Sequence, residues 1–225
     1  MKELVTWFYD LTKMVRPTFG GTKTGRALAR ASSRGVNMGE YIEIERRFFL
    51  NDVAEQPWKQ PALASQIRQH YLDSSKISVK QSELSYNEVV MHMNITPEEK
   101  NIYESTDDWT SRIRFRNEEA TLTLKGKRAH ASALELEWEI DAVTAGTIPG
   151  LTECPTVFKT RYTWKAADGL LWEIDEFEGA LTGLVLAEVE LPNEEFPVLL
   201  PEWIGEEITG LHQWSNSSLA LNGWP

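Results

Sequence analysis

Residues 41–50 read YIEIERRFFL. Glu43, Glu45 and Arg47 recur at every second position, while Ile42, Ile44 and Phe48 fill the alternate ones. In a strand this spacing puts two carboxylates and a guanidinium on one face. Neighbouring carboxylates repel, and each prefers water or a cation, so an ordinary strand has no need of the pattern. The pattern returns along the chain with its sign segregated by segment. Arg112, Arg114 and Arg116 lie in SRIRFR, and Lys125 ends TLTLK. Glu135, Glu137, Glu139 and Asp141 lie in ELEWEID, Lys159 and Arg161 in KTRY, Glu173 and Asp175 in WEID, and Glu188 and Glu190 in AEVEL.

Solvated strand faces mix their signs, because opposite charges facing each other are mildly favourable and like charges are not. Six segments that keep like charges together instead point to faces turned inward around a shared cavity. Carboxylates enclosed in this way require divalent cations, and enclosed Arg and Lys require a polyanion, because isolated buried charge is very costly. A metal-bound polyphosphate meets both demands. Closing the sheet into a barrel also removes its edges and leaves outward apolar residues such as Ile44, Leu136, Trp138 and Val189 to be covered by helices and loops.

The chain has 225 residues, of which 41% are hydrophobic, enough for one substantial core, and one main domain is expected. A formal net charge of −11 argues against a nucleic-acid partner. Cys154 is the only cysteine, which excludes an internal disulfide framework and suits a reducing, cytoplasmic compartment. No stretch approaches the roughly 18 apolar residues of a membrane span, so no membrane partner is expected.

Residues 1–38 read as a separate, poorly ordered basic arm, and 39–225 as the functional domain. The arm lacks the sustained apolar run of a secretory signal. Its GGTKTGR stretch at 20–26 lacks the Gly-Lys-Ser/Thr ending of a phosphate-binding loop and has no strand before it. An organellar transit segment and an appended stretch upstream of a start at Met38 both stay open.

Beyond residue 40 the period is mostly two, so strands dominate. Strands are expected around 66–73, in KISVKQ and over 89–95, and the 73–110 region is long and weakly patterned, with two roles open to it: capping one end of the cavity or altering what enters it. The turn at Asn117 to Glu119 makes a hairpin of SRIRFRN and ATLTLKG, and Asp168-Gly169 marks a second. EEFPVLLPEWIGEEIT and QWSNSSLALNGW read as short helices or irregular segments, with Asn216 as an N-cap. The fold class is therefore α+β, mainly β, with flanking helices.

EIERRFFL, IRQHYL, RIRFR, LTLKG, ELEWEI, FKTRYTW, WEIDEFEG, LAEVELP, WIGEEITG and NSSLA, in that order, resemble the ordered motifs of the CYTH superfamily, the triphosphate tunnel metalloenzymes. The likeness runs from about 41 to 222 and lies in the ordered set, since ExE on one strand is commonplace. It implies that the strands form an antiparallel closed β-barrel enclosing a tunnel, and action on a small-molecule triphosphate with Mg2+ or Mn2+. It also implies metal-holding roles for Glu43, Glu45, Glu137, Glu139, Asp175, Glu188 and Glu190. Arg47, Arg112, Arg114, Lys125, Lys159 and Arg161 take phosphate-binding roles on the same basis, with Glu43, Glu45, Arg47 and Lys125 at the chemistry. A homodimer is compatible with the resemblance.

The chain departs from the family's pattern at four places. Arg47 stands where lysine is usual, and a guanidinium holds charge but does not accept a proton. Ala133 stands where an arginine is common, which removes one phosphate contact, and His70 replaces a glycine. Gln213 and Trp214 stand where Arg and Tyr are common. The ending resembles the short-chain branch that cleaves inorganic triphosphate, so hydrolysis of tripolyphosphate to pyrophosphate and phosphate is the expected activity. Thiamine triphosphatase, class IV adenylyl cyclase or other nucleoside triphosphate chemistry, and a non-catalytic polyphosphate or nucleotide sensor, are the alternatives.

Overall fold

The computed structural model describes residues 41–52, 56–59, 63–148 and 150–225. The basic arm 1–38, with its GGTKTGR stretch, lies outside the described residues. YIEIERRFFL forms β1 (Ile42–Leu50), and β2 (Leu63–Leu72) follows. Three short strands, β3 (Ile77–Lys80), β4 (Glu83–Tyr86) and β5 (Val89–Met93), precede helix α1 (Pro97–Tyr103). The long hairpins come next: β6 (Trp109–Arg116), β7 (Glu119–Gly126) and β8 (Ser132–Ile140), then helix α2 (Ala142–Gly146), β9 (Thr156–Lys165) and β10 (Leu171–Phe177). The chain ends with β11 (Val185–Glu190), β12 (Ile204–Glu207) and helix α3 (Asn216–Asn222).

The large sheet runs β11-β10-β9-β2-β6-β7-β8-β1-β12, and β11 also pairs with β1. That last pairing joins the two ends of the row into a closed antiparallel barrel of eight strands, with β12 added beside β1. Register fixes what faces inward. Arg47 stands opposite Glu188, Glu173 opposite Glu188, Asp175 opposite Arg161, Gln69 opposite Arg114, and Thr123 opposite Glu137. Directly opposed residues share a sheet face, so Glu43, Glu45, Arg47, Arg112, Arg114, Lys125, Glu137, Lys159, Arg161, Glu173, Asp175 and Glu188 point into one lumen.

The outward alternates are apolar and are covered in two places. Ile113, Leu122, Leu124, Leu136 and Trp138 pack under Leu84, Tyr86, Met91, Ile95 and Ile102 from the β3-β4-β5 sheet and α1. The 73–110 region therefore clads the barrel wall, and the expectation that it caps one end of the cavity is corrected: its apolar side matches the outer face of β6, β7 and β8. A capping box secures α1, in which Thr96 Oγ1 accepts from the Glu99 amide at 3.1 Å and the buried Glu99 carboxylate accepts from the Thr96 amide at 2.7 Å. The remaining Glu99 oxygen accepts from the Trp138 indole at 2.9 Å, which ties the cladding to the barrel. On the opposite wall, Phe48, Trp172, Ile174, Ala187 and Val189 pack with Trp58 and Trp203.

A third cluster lies inside. Phe49, Tyr71, Val157, Phe177 and Leu186 have the inward parity of the charged residues but sit at the strand ends, where they pack with Ile208 and with Leu219 of α3. They close one end of the lumen. At the other end, Leu63, Leu171 and Glu139 stand exposed on the rim.

The carboxyl-terminal segment also differs from the sequence reading. WIGEE contributes β12 rather than a helix, because Ile204 and Trp203 bury against β1 and Asn51 fastens the turn, its amide donating to the Ile204 carbonyl at 2.8 Å. The N-cap of α3 is Ser215, whose hydroxyl accepts from the Ser218 amide at 3.1 Å. Asn216 is the first helical residue, and its side chain is left to enter the lumen. The β9–β10 loop is also longer than a two-residue turn: the Ala166 amide donates to Leu170 O at 2.9 Å, and Gly169 sits within it at φ 88°.

Candidate active site

The lumen holds its charges in linked ion pairs. Around β9 and β10, Lys159 donates to Asp175 Oδ2 at 2.5 Å and to Asn216 Oδ1 at 3.1 Å. Arg161 grips both Asp175 oxygens at 2.6 Å, reaches Glu188 at 3.1 Å and also contacts Glu173. Asp175 is fully buried and Lys159 is 1% exposed, so these charges depend on each other rather than on water. Burial alone would raise the Asp175 carboxyl, but Arg161 and Lys159 overcome it and hold the group below its usual range. Burial brings the Lys159 ammonium down to about 8, with Asp175 opposing and Arg161 reinforcing the fall.

A second group surrounds β1. Arg47 bridges Glu45 at 3.0 Å and Glu188 at 2.8 Å, and donates to the Trp214 carbonyl at 3.2 Å. Lys125, from the neighbouring wall, contacts Glu43, lies 3.4 Å from Glu45 and 3.5 Å from Glu135. Burial works to lower both cations, yet the surrounding carboxylates dominate and raise them above their ordinary values. Glu188, which burial alone would raise, is held well below the usual carboxylate range, chiefly by Arg47 and Arg161.

The third group is basic. Arg114 meets Glu137 at 3.2 Å, and Thr123 Oγ1 donates to the same carboxylate at 3.0 Å. Burial lowers the Arg114 pKa, and Arg112 and Arg161 push in the same direction. Arg112 Nε is buried without a hydrogen-bond partner, as are Arg47 Nε and Glu135 Oε2. Buried donors without partners mark places where an acceptor is needed. Gln69 is 1% exposed and donates to the Tyr71 hydroxyl, whose pKa burial raises.

Of the residues expected from sequence, the structure brings Glu43, Glu45, Arg47, Lys125, Lys159, Arg161, Asp175 and Glu188 into direct contacts, with Arg112, Arg114 and Glu137 on the adjoining wall. Glu190 stands opposite Glu45 at the end of β11 and is exposed, and Glu139 is exposed at the end of β8. Glu135 faces Lys125, and Asp141 caps α2 by accepting from the Thr144 amide at 2.6 Å.

Two residues that reach the lumen from outside the strands escaped the sequence reading. Arg128, from the β7–β8 loop, touches Glu45 and lies 3.3 Å from Glu43. Its loop is tightly built. The Ala129 amide donates to Ser132 O at 2.8 Å, Glu45 N–H donates to Ala131 O at 3.2 Å, and Arg128 Nη1 donates to the same Ala131 carbonyl at 2.5 Å. Gly126 launches the loop where a Cβ would stand 2.6 Å from Leu134 Cβ, so a larger residue would force the strands apart. The second is Asn216, which joins Lys159 to Glu188, its amide nitrogen 3.5 Å from the Glu188 carboxylate. Nothing in the alternation identifies either residue, because one lies in a loop and the other on a helix.

No group of three or more His, Cys, Asp or Glu side chains stands ready-gathered around a metal position among the described residues. The donor chemistry nevertheless suits a hard divalent cation, since Glu43, Glu45 and Glu188 offer carboxylate oxygens to one enclosed space.

A closed antiparallel barrel with a lumen of interleaved carboxylates, guanidiniums and ammoniums defines a class of protein built to hold a polyanion. The family model for the CYTH domain matches residues 90–220. An inorganic triphosphatase of Acetivibrio thermocellus is 42% identical over 116 residues, which covers 51% of this chain and 74% of the relative. An inorganic triphosphatase of Nitrosomonas europaea is 38% identical over 119 residues, covering 52% and 78%. The crystal structure of the inorganic triphosphatase NE1496 aligns at 30% identity and a TM-score of 0.49, over 81% of this chain and 97% of that one. The chain belongs to the CYTH domain family.

Proposed function

We propose that this protein hydrolyses inorganic triphosphate to pyrophosphate and phosphate within its barrel, in a reaction that depends on Mg2+ or Mn2+. The observation that carries the reading is the lumen itself. Arg112, Arg114, Lys125, Lys159 and Arg161 face Glu43, Glu45, Asp175 and Glu188 across a space with one end closed by Phe49, Tyr71, Phe177 and Leu186. The two relatives named as inorganic triphosphatases support the same substrate. A short inorganic chain fits this arrangement because the side chains that face one another across it are charged. No helix among the described residues is long and apolar enough to cross a membrane, and the lone cysteine supports a reducing cytoplasmic setting.

In this mechanism the basic residues spread and neutralise the charge on the transferring phosphoryl group, which is the largest contribution that a protein makes to phosphoryl transfer. Arg112 and Arg114 grip phosphate oxygens in pairs, while Lys125 and Lys159 act as point charges. Glu43, Glu45 and Glu188 would hold the divalent cation, with Glu190 beside Glu45 in the register and Glu137, Glu139 and Asp175 as the further carboxylates of the lumen. When bound, that cation supplies charge neutralisation and a water of lowered pKa. Arg47 is not a proton acceptor; it holds Glu45 in place and helps to keep Glu188 ionised.

Phosphate release from tripolyphosphate, ATP and thiamine triphosphate, each with Mg2+ and then Mn2+, tests the proposal. Tripolyphosphate is expected to be the preferred substrate. Preference for an organic triphosphate would overturn the substrate assignment, and binding without turnover of any of them would overturn the enzyme assignment in favour of a sensor.

Two further outcomes are expected. Arg114→Ala should raise KM for tripolyphosphate about 10-fold or more, because a charged hydrogen bond to phosphate is worth roughly 1.5–3 kcal/mol; an unchanged KM in steady-state assays would place Arg114 outside the binding path. The pH profile should also show Lys159. Its ammonium is charged below about 8 and neutral above, so kcat/KM, which reports the free enzyme, should fall as pH rises through that value. A flat profile between about pH 7 and 9.5 would remove Lys159 from substrate capture.

A further inference from the structure

The carboxylates Glu43 and Glu45 are already engaged in the ligand-free lumen. Lys125 and Arg128 both reach both of them, and Arg47 takes Glu45 as well. Side-chain exposures of 10% for Glu43 and 8% for Glu45 leave little room for a cation to approach while these partners stay in place. Arg128 differs from the other two cations in its origin. Lys125 and Arg47 project from strands, whereas Arg128 hangs from a loop, and the residue directly opposite Glu43 in the strand register is the small Ala133. The space over Glu43 is therefore filled by a side chain that enters from outside the sheet and takes no part in the strand pairing. The backbone hydrogen bonds of its loop, from Ala129, Glu45 and Ser132, do not use the guanidinium, so release of the carboxylates breaks only the guanidinium's own contacts, including its bond to the Ala131 carbonyl.

We propose that Arg128 is a latch on the Glu43–Glu45 pair: in the empty lumen it acts with Lys125 as the carboxylates' counter-ion and opposes divalent-cation binding, and an entering triphosphate draws it onto phosphate oxygens and so releases the carboxylates for the metal. This rests on the triphosphate reading for the polyanion and on the geometry for the latch. A guanidinium prefers the more highly charged phosphate chain, to which it bonds through two nitrogens. Metal and triphosphate then favour each other's binding, and by linkage the favour is equal in both directions. The latch also keeps the site from filling with metal alone.

The test separates the two ligands. Mn2+ is titrated alone, by calorimetry and by electron paramagnetic resonance of the free ion, into the wild type and Arg128→Gln. A non-hydrolysable imido analogue of tripolyphosphate is titrated separately, in EDTA, into the same two proteins. Arg128→Gln is expected to bind Mn2+ about 5-fold more tightly, because one repelling charge is gone, and the analogue about 10-fold more weakly, because one charged contact is gone. Arg128→Lys keeps the charge but loses the two-nitrogen grip, and should fall between on both measures; it is the second variant if Arg128→Gln fails to melt cooperatively. Unchanged or weaker Mn2+ binding in the variants overturns the latch, as does unchanged analogue binding. If the analogue binds neither variant nor wild type, the triphosphate reading fails, and with it the release step, while the Mn2+ titration still decides whether Arg128 guards the carboxylates.

Discussion

Glu45→Gln is expected to lower kcat/KM for tripolyphosphate by about 100-fold or more, the scale of losing a preorganised electrostatic contact in a water-poor site. Its melting temperature should move by only a few degrees. Glu45 lies where Arg47, Lys125 and Arg128 converge. Glutamine preserves the shape and an acceptor oxygen for these donors but not the charge, so the barrel, held by its strand pairing and three apolar clusters, persists while cation binding is weakened. Metal titration should show the same variant with weakened Mn2+ affinity, opposite in sign to Arg128→Gln. A variant that unfolds while its folded fraction keeps full specific activity would make Glu45 a structural residue.

Arg161→Ala should have the largest effect on stability. Arg161 contacts Asp175, Glu173 and Glu188, and its removal leaves fully buried Asp175 with Lys159 as its remaining ion-pair partner. Breaking one side of a buried pair costs about 3–5 kcal/mol, because an under-compensated charge is left in a poorly solvated place. Urea denaturation measures the loss. Adding Asp175→Asn to Arg161→Ala removes the stranded charge, so the double variant should recover part of the loss even though it lacks one more ion pair than the single variant. A double variant less stable than Arg161→Ala by the full additive amount would mean that the two residues act independently.

Most of the barrel was legible because its chemistry obeys the strand period. Glu43, Glu45 and Arg47, the arginines of β6 and the glutamates of β8 repeat every second residue, and that parity is preserved from strand to strand by register. The same parity contained the lumen's apolar end, since Phe49, Tyr71, Val157, Phe177 and Leu186 share it, but apolar residues at strand ends do not announce which way they point. The role of the 73–110 region was not legible for a related reason. Leu84, Tyr86, Met91 and Ile102 form a face only after β3, β4, β5 and α1 are assembled, and what they cover is fixed by a wall formed elsewhere in the chain. Arg128 and Asn216 reach the lumen from a loop and a helix, where no period governs direction. Ser215 and Asn216 are both good N-caps, and the choice fell to the residue whose side chain was not required inside.

The most direct test is a crystal structure with the imido analogue of tripolyphosphate and Mn2+, using the anomalous signal of manganese to locate the ion. The account predicts the metal within the barrel on Glu43, Glu45 and Glu188, with phosphates against Arg112, Arg114, Lys125 and Arg161. Analogue and metal bound only on the outer surface, with the ion pairs of the lumen undisturbed, would contradict it.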